Sequence, residues 1–117
     1  MAGVAEMVVE RYLHADFRAA DPGATQAIRA CILRNDPSGY AANCAAVAGV
    51  DWLDRLSQIA CPTLVISGAR DAGAPASMGQ AIAERIPGAR FEVIADASHL
   101  SVLETPMVFE ALLRSFL

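Results

Sequence analysis

The stretch 62-PTLVISGARDAGAP-75 decides the class of fold that this chain can adopt. Its apolar run, 63-TLVIS-67, is short, rich in β-branched residues and bounded by Pro62 and Gly68, which is typical of a strand buried on both faces. The strand runs directly into a loop that carries Asp71. The stretch therefore predicts a buried strand with an acidic side chain a few residues past its carboxyl end.

A helix, a second strand and a last helix follow this stretch. Apolar residues one helical turn apart predict a helix over 75–86, the run 91-FEVIA-95 predicts a strand, and the spacing over 105–117 predicts a helix that begins at Thr105-Pro106. The order predicts two parallel strands joined by a right-handed crossover. Because parallel sheets usually have several strands, at least one edge is expected to need a neighbour.

The residues before Pro62 indicate helices almost throughout. Asp21-Pro22 and the turn at 35–39 mark breaks between helices, and the third helix is expected to stop near Gly49. No segment in this part has a convincing strand pattern. The sequence thus predicts an α/β protein in two parts, a helical segment over residues 1–60 and a βαβα segment over residues 61–117.

Composition narrows the possible partners and the compartment. The net charge is −4 with no basic run, which argues against nucleic acid, and the N-terminal segment has neither the length nor the flanks of a membrane span. Cys31, Cys44 and Cys61 lack metal-ligand spacing, so we expect no metal site and interpret them as buried thiols in a reducing cytoplasm. The hydrophobic fraction of 55% leaves apolar surface to cover a partner or a missing segment.

Two polar side chains are expected at the carboxyl ends of the strands. Asp71 follows the first strand and His99, in 96-DASH-99, follows the second. Side-by-side parallel strands would bring the two loops together, so the Asp71 carboxylate could accept the ring proton of His99 and fix its tautomer. We expect the two side chains within about 4 Å of each other. Asp96 is the alternative acid, but it lies on the same loop as His99.

Three segments resemble a known family. The segments 62–75 and 99-HLSVLETP-106 are similar to the acid and histidine loops of α/β-hydrolases, and 36-DPSGYAANCAAVAGVDW-52 resembles the end of the helical cap in 3-oxoadipate enol-lactonases. The resemblance implies a partial α/β-hydrolase fold, with Asp71 and His99 as the acid and base of a Ser-His-Asp triad. It implies hydrolysis of an ester or lactone without metal or organic cofactor, within aromatic-compound catabolism by the β-ketoadipate pathway.

The chain departs from the family in one respect. No Gly-x-Ser-x-Gly elbow occurs in the 117 residues, and the resemblance covers less than half of a family member. We therefore expect a truncated hydrolase that is inactive alone, which leaves its status as an enzyme uncertain. Its expected partner is a missing N-terminal half or another copy of the chain. The alternatives are a non-catalytic module that binds a small ligand and a self-associating module that forms homo-oligomers.

The remaining candidates concern substrate binding. Tyr40 and Trp52, in the cap-like segment, are candidates for lining a pocket for a lactone or ester, although lone aromatics near apolar helices more often belong to a core. Arg34 or Arg70 could pair with a substrate carboxylate, because guanidinium groups suit carboxylates. His14 is interpreted as a solvated helix residue.

Overall fold

A computed structural model describes residues 1–117 of the chain. Its elements, in chain order, are α1 (Ala2–Tyr12), α2 (Ala15–Ala20), α3 (Pro22–Leu33), α4 (Pro37–Ala48), a 3₁₀ helix (Leu53–Gln58), β1 (Leu64–Gly68), α5 (Ala76–Ala83), β2 (Arg90–Ile94), α6 (Ser101–Glu104) and α7 (Pro106–Phe116). All helices before Pro62 lie in what we call the helical half, residues 1–60. The remaining residues, 61–117, form the sheet half.

Two aspartates start helices in the helical half. The Asp21 carboxylate accepts the Ala24 N–H at 2.8 Å, and Pro22 occupies the first turn of α3. Asp36 caps α4 in the same way through the Gly39 N–H, again with a proline in the first turn. Each cap satisfies an amide that has no partner inside its helix, which is why these breaks were readable from the sequence.

The sheet contains two parallel strands. Leu64 of β1 pairs with Arg90 of β2, and the register continues to Gly68 and Ile94. The prediction of parallel strands around a connecting helix is confirmed, with each strand displaced by one residue. The prediction that β1 is buried on both faces is wrong: its first four residues are only half-buried, because a sheet of two strands leaves both outer edges uncovered.

Glycines allow the close contacts that hold this half together. A Cβ atom on Gly79 of α5 would lie 2.2 Å from the Ser67 Oγ, and one on Gly68 would lie 2.3 Å from the carbonyl oxygen of Ser98. Any larger residue would push α5 off β1, or push the loop that follows β2 away from β1.

The core of the protein is thin. One cluster, formed by Ala5, Val8 and Ile32, lies between α1 and α3, and 14 of the 117 residues are buried. The accessible surface is 7447 Å², whereas a compact monomer of this mass exposes about 6,100 Å². The radius of gyration is 15.8 Å against about 13 Å for a compact domain of this length. The chain therefore leaves much apolar surface exposed.

Three further sequence interpretations can be compared with the structure. The cysteines Cys31, Cys44 and Cys61 are all exposed, so their interpretation as buried thiols is wrong: they lie on outward faces or loops. His14 is a partly buried N-cap of α2 whose Nδ1 accepts the Phe17 N–H, not a solvated helix residue. No helix has the length and apolar character needed to cross a membrane.

Candidate active site

The loops after β1 and β2 lie side by side. The Ala69 N–H donates to the carbonyl of Ile94, and the Arg70 N–H donates to the carbonyl of Ala97, both at 2.9 Å. These bonds extend the pairing of the strands beyond the sheet, and Gly68 lets the two backbones approach. The parallel register therefore brings the side chains of the two loops together at the carboxyl ends of the strands.

Asp71 and His99 meet at this place. The His99 Nδ1 lies 2.7 Å from the Asp71 Oδ2, which confirms the expected distance. The Asp71 side chain is 6% exposed and that of His99 is 38% exposed. With Nδ1 held by the carboxylate, Nε2 is the ring nitrogen left free for proton transfer, which is the geometry required of an oriented histidine base.

Local amides keep Asp71 ionised. Burial alone would raise the pKa of Asp71, but hydrogen bonds from the Ala74 N–H, from His99 and from the Gly73 N–H outweigh it and lower the pKa. Both amides donate to Oδ1 at 2.8 Å, which leaves Oδ2 for the imidazole. The tight turn after Asp71 thus fixes both the charge and the direction of the carboxylate.

The alternative acid is engaged elsewhere. Asp96 accepts a hydrogen bond from Arg70 at 2.9 Å, and the same guanidinium donates to Asp16 at 2.7 Å. Arg70 therefore already has two carboxylate partners, and Asp96 has no hydrogen bond to His99. Of the two acids weighed from the sequence, the structure brings Asp71 to the histidine.

Two cavities meet at His99. One, of about 240 Å³, lies towards the helical half and is lined by Arg11, Tyr12, Tyr40 and Gly73 among others. The second, of about 320 Å³, lies along β1 and α5 and includes Asp71 and Ser98. The imidazole thus borders two cavities, one lined mainly by residues of α1 and α4 and one lined mainly by residues of β1 and α5.

The two aromatic candidates lie in different places. Tyr40 lines the smaller cavity at His99, and burial raises its pKa, with Cys44 and Tyr12 acting in the same direction, so it is a neutral phenol at neutral pH. Trp52 is 53% exposed, stacks with the Arg55 guanidinium 4.8 Å from its ring, and lines a separate cavity. The structure brings Tyr40 to the histidine and leaves Trp52 away from it.

Three residues near the site were not singled out from the sequence. Tyr12 lies against His99 with ring centroids 4.2 Å apart, Arg11 borders the same cavity, and Glu104 binds the backbone next to His99. Tyr12 is the last residue of α1, and Glu104 stands inside the motif HLSVLETP. No local pattern indicates that the end of α1 packs beside the histidine.

The comparisons with known proteins agree on a hydrolase. No protein-family profile matches the chain. Over 78 residues it is 40% identical to 3-oxoadipate enol-lactonase 1 of Acinetobacter baylyi, a match that spans 67% of this chain and 29% of that enzyme. The enol-lactonase of Burkholderia xenovorans LB400 superimposes with a TM-score of 0.95 at 34% identity over 99% of this chain and 44% of that structure.

Two further solved structures give the same result. A hydrolase from Pseudomonas aeruginosa has a TM-score of 0.93, and an esterase from Thermogutta terrifontis one of 0.88, both at 34% identity and covering 43% and 42% of those chains. The chain therefore has the fold of part of an α/β-hydrolase. The resemblance to 3-oxoadipate enol-lactonase is confirmed as well, and this chain spans less than half the length of those relatives.

Proposed function

We propose that this chain is the acid-base segment of an α/β-hydrolase that cleaves a lactone or ester. Asp71 holds the imidazole, and the Nε2 of His99 accepts the proton of a serine hydroxyl as its oxygen attacks the substrate carbonyl. The proton is then given to the leaving oxygen, and His99 next activates water to cleave the acyl-enzyme. The sequence of steps requires no metal or organic cofactor.

The observation that carries the proposal is the 2.7 Å contact between Asp71 and His99. It joins two residues that the sequence places at the ends of different strands, with the acid ionised and the second ring nitrogen free. Such a pair serves proton transfer to or from a bound nucleophile. The likeness to enol-lactonases and an esterase supports carboxylic esters, including lactones, as the substrate class.

A nucleophile must come from another part of a hydrolase. None of the serines in these 117 residues stands in a Gly-x-Ser-x-Gly elbow, so the isolated chain is proposed to be inactive. The second cavity is lined by residues of β1, a strand that has only β2 as a neighbour, and the chain exposes more surface than a compact monomer of its mass. We therefore propose that a further hydrolase segment covers the free edge of β1 and brings the serine to His99.

The smaller cavity indicates where a substrate carboxylate would bind. Arg11 borders this cavity and has no carboxylate within 4 Å, and its one hydrogen bond is to the carbonyl of Gly73 at 3.4 Å. Arg70, by contrast, is paired with two aspartates. We propose that Arg11 pairs with the free carboxylate of a substrate such as 3-oxoadipate enol-lactone, with the neutral phenol of Tyr40 as a neighbouring donor.

The test of the acid-base pair is a chimera. The part of the Burkholderia xenovorans enol-lactonase that this chain does not match is joined to this chain, and lactone and aryl ester hydrolysis are measured. We expect turnover that falls about 10⁴-fold in Asp71→Asn, as in serine hydrolases deprived of the orienting acid. Asp96→Asn, on the neighbouring loop, is the matched control and should retain turnover. Equal losses in both variants would refute the assignment of the acid.

The carboxylate assignment has its own test in the same chimera. Arg11→Gln should raise KM for a substrate with a free carboxylate and leave KM for its methyl ester unchanged, because only the first interacts with the guanidinium. Arg34 was a candidate from the sequence but does not line this cavity, so Arg34→Gln should change neither KM value. An Arg11→Gln variant that treats both substrates as the parent does would contradict the role of Arg11.

A further inference from the structure

Glu104 is a buried carboxylate that the proposed reaction does not use. Its side chain is 0% exposed. One oxygen accepts the backbone N–H of His14 at 2.8 Å, and the other accepts the backbone N–H of Ser98 at 2.5 Å. Burying a charged carboxylate is costly unless hydrogen bonds replace its water, and these two amides do so. The group therefore links two segments that are far apart in sequence.

The linked segments are the two that surround the imidazole. Ser98 immediately precedes His99, and the N–H of the residue after it, Leu100, donates to the carbonyl of Tyr12 at 3.2 Å. The Tyr12 ring lies over the His99 ring, with centroids 4.2 Å apart and planes inclined by 31°. Both neighbours of His99 in the chain are thus attached to the junction between α1 and α2, Leu100 directly at Tyr12 and Ser98 through Glu104 at His14.

The imidazole of His99 is held at more than one point. The contact of Asp71 with Nδ1 fixes one ring atom, but the imidazole can still turn about that contact if its backbone moves. The attachments of Ser98 and Leu100 fix the backbone, and Tyr12 limits the ring plane. Together these contacts aim Nε2, so the helical half takes part in setting the direction of proton transfer.

The His14 side chain adds to the same junction. Its Nδ1 accepts the Phe17 N–H at 3.2 Å, so in the neutral ring the proton is on Nε2, which lies 4.0 Å from Glu104. The carboxylate is thus faced by the His14 ring N–H as well as by two backbone amides. All three of these groups are donors, so an amide side chain at position 104 would present its NH₂ to one of them.

We propose that Glu104 is a positioning residue that aligns the His99 imidazole by joining the His99 loop to the start of α2. The effect on hydrolysis rests on the function proposed above, whereas the effect on the imidazole does not. Glu104→Gln keeps the size of the side chain but turns its NH₂ towards one of the two amides. We expect that amide to lose its partner and the loop to loosen.

The experiment uses the 117-residue chain and nuclear magnetic resonance. Hydrogen exchange is measured at the His99 Nδ1–H, at the amides of His14 and Ser98, and at sheet amides such as Ile66. Glu104→Gln should accelerate exchange about tenfold or more at the His99 ring and at one of the two amides, Ser98 or His14, while Ile66 is unchanged. Glu110→Gln, in an exposed glutamate of α7 that pairs with Arg114, is the control and should leave all four sites unchanged.

Two outcomes would overturn the proposal. Unchanged exchange at His99 in Glu104→Gln would mean that the carboxylate does not hold the imidazole, and equal acceleration at Ile66 would mean that it only stabilises the whole fold. If Glu104→Gln does not fold, Glu104→Asp is measured in its place. Its shorter carboxylate reaches one amide only, so the expected result and the contrary outcomes are the same. In the chimera, Glu104→Gln should lower kcat with little change in KM. If the parent chimera shows no turnover, the function proposal fails while the exchange result still decides the role of Glu104.

Discussion

The helical half and the sheet half of this chain are nearly equal in length but differ in how they hold their residues. In the helical half, capped helices pack through one small cluster, and α4 is exposed along most of its length. In the sheet half, two strands and close glycine contacts fix the ends of two loops to within hydrogen-bonding distance. The positions of Asp71 and His99 are therefore set locally by the sheet, while their surroundings depend on the junction with the helices.

The largest expected effect tests the close contact in the sheet half. Gly68→Ala would place a Cβ atom 2.3 Å from the Ser98 carbonyl oxygen, and we expect it to lower the free energy of unfolding by at least about 3 kcal/mol. Urea denaturation followed by circular dichroism measures this. Gly3→Ala, whose Cβ meets nothing within 4 Å in α1, should be neutral or stabilising by up to about 1 kcal/mol. Similar losses in both would show that the sheet half is not held by this contact.

The next variant tests whether the two halves unfold together. Leu13 is fully buried at the end of α1, beside the residues that contact the sheet half. We expect Leu13→Ala to cost about 2 kcal/mol, at the low end for such a truncation, because the thin core can relax around the gap.

Two probes then report on the two halves of the Leu13→Ala variant. Methyl resonances of Val8, in the core cluster of the helical half, follow that half, and the His99 resonances follow the sheet half. Urea transitions that coincide would show that the two halves unfold as one cooperative unit, as we expect. Separated transitions would show that the halves unfold independently. Leu33→Ala, at an exposed position of α3, is the matched control with a smaller loss.

A pH series tests the ionised, hydrogen-bonded carboxylate of Asp71 in the sheet half. The lowered pKa of Asp71 means that the folded state releases this proton more readily than the unfolded state. Its stabilisation is therefore present above about pH 4, where the unfolded carboxyl is ionised, and is lost as the pH falls through the folded pKa. The difference in unfolding free energy between the parent and Asp71→Asn should be larger at about pH 5 than at about pH 2.5. An equal difference at both pH values would exclude ionisation of Asp71 as the cause.

The smallest effect concerns the exposed helix. Val47 of α4 is 71% exposed, so Val47→Ala should change the free energy of unfolding by less than about 0.5 kcal/mol. The same change at Val8, in the core cluster of α1, should cost more. A large loss of unfolding free energy in Val47→Ala would show that α4 packs against the rest of the isolated chain. That result would weaken the contrast between the two halves.

Much of this fold was predictable because its signals are local. The Asp-Pro caps of α3 and α4, the short apolar strands and the glycine-rich loop each act over a few residues, and the order strand, helix, strand implied the parallel pairing. The contact between Asp71 and His99 followed from that pairing. The one-turn helix α6 was not predicted, since four residues are too few for a periodic pattern.

The surroundings of the histidine could not be predicted for the opposite reason. The contact of Tyr12 with His99 and that of Glu104 with His14 depend on how α1 ends and where it packs, which no local pattern specifies. Burial was also misjudged: β1 and the three cysteines were expected inside, but a chain with two strands has too little structure to enclose them. The oligomeric state, the cytoplasmic location and the pathway stay predictions.

The hydrogen bond from His14 to Glu104 spans 90 residues of sequence, and the one from Leu100 to Tyr12 spans nearly as many. Contacts of such long range are entropically expensive to close before the intervening elements exist. The packing of α1 on α3, and the pairing of β1 with β2, each join residues that are closer together in the sequence. The alignment of the histidine is thus expected to arise late in folding, so that a refolding chain would regain its secondary structure before it regains an ordered imidazole.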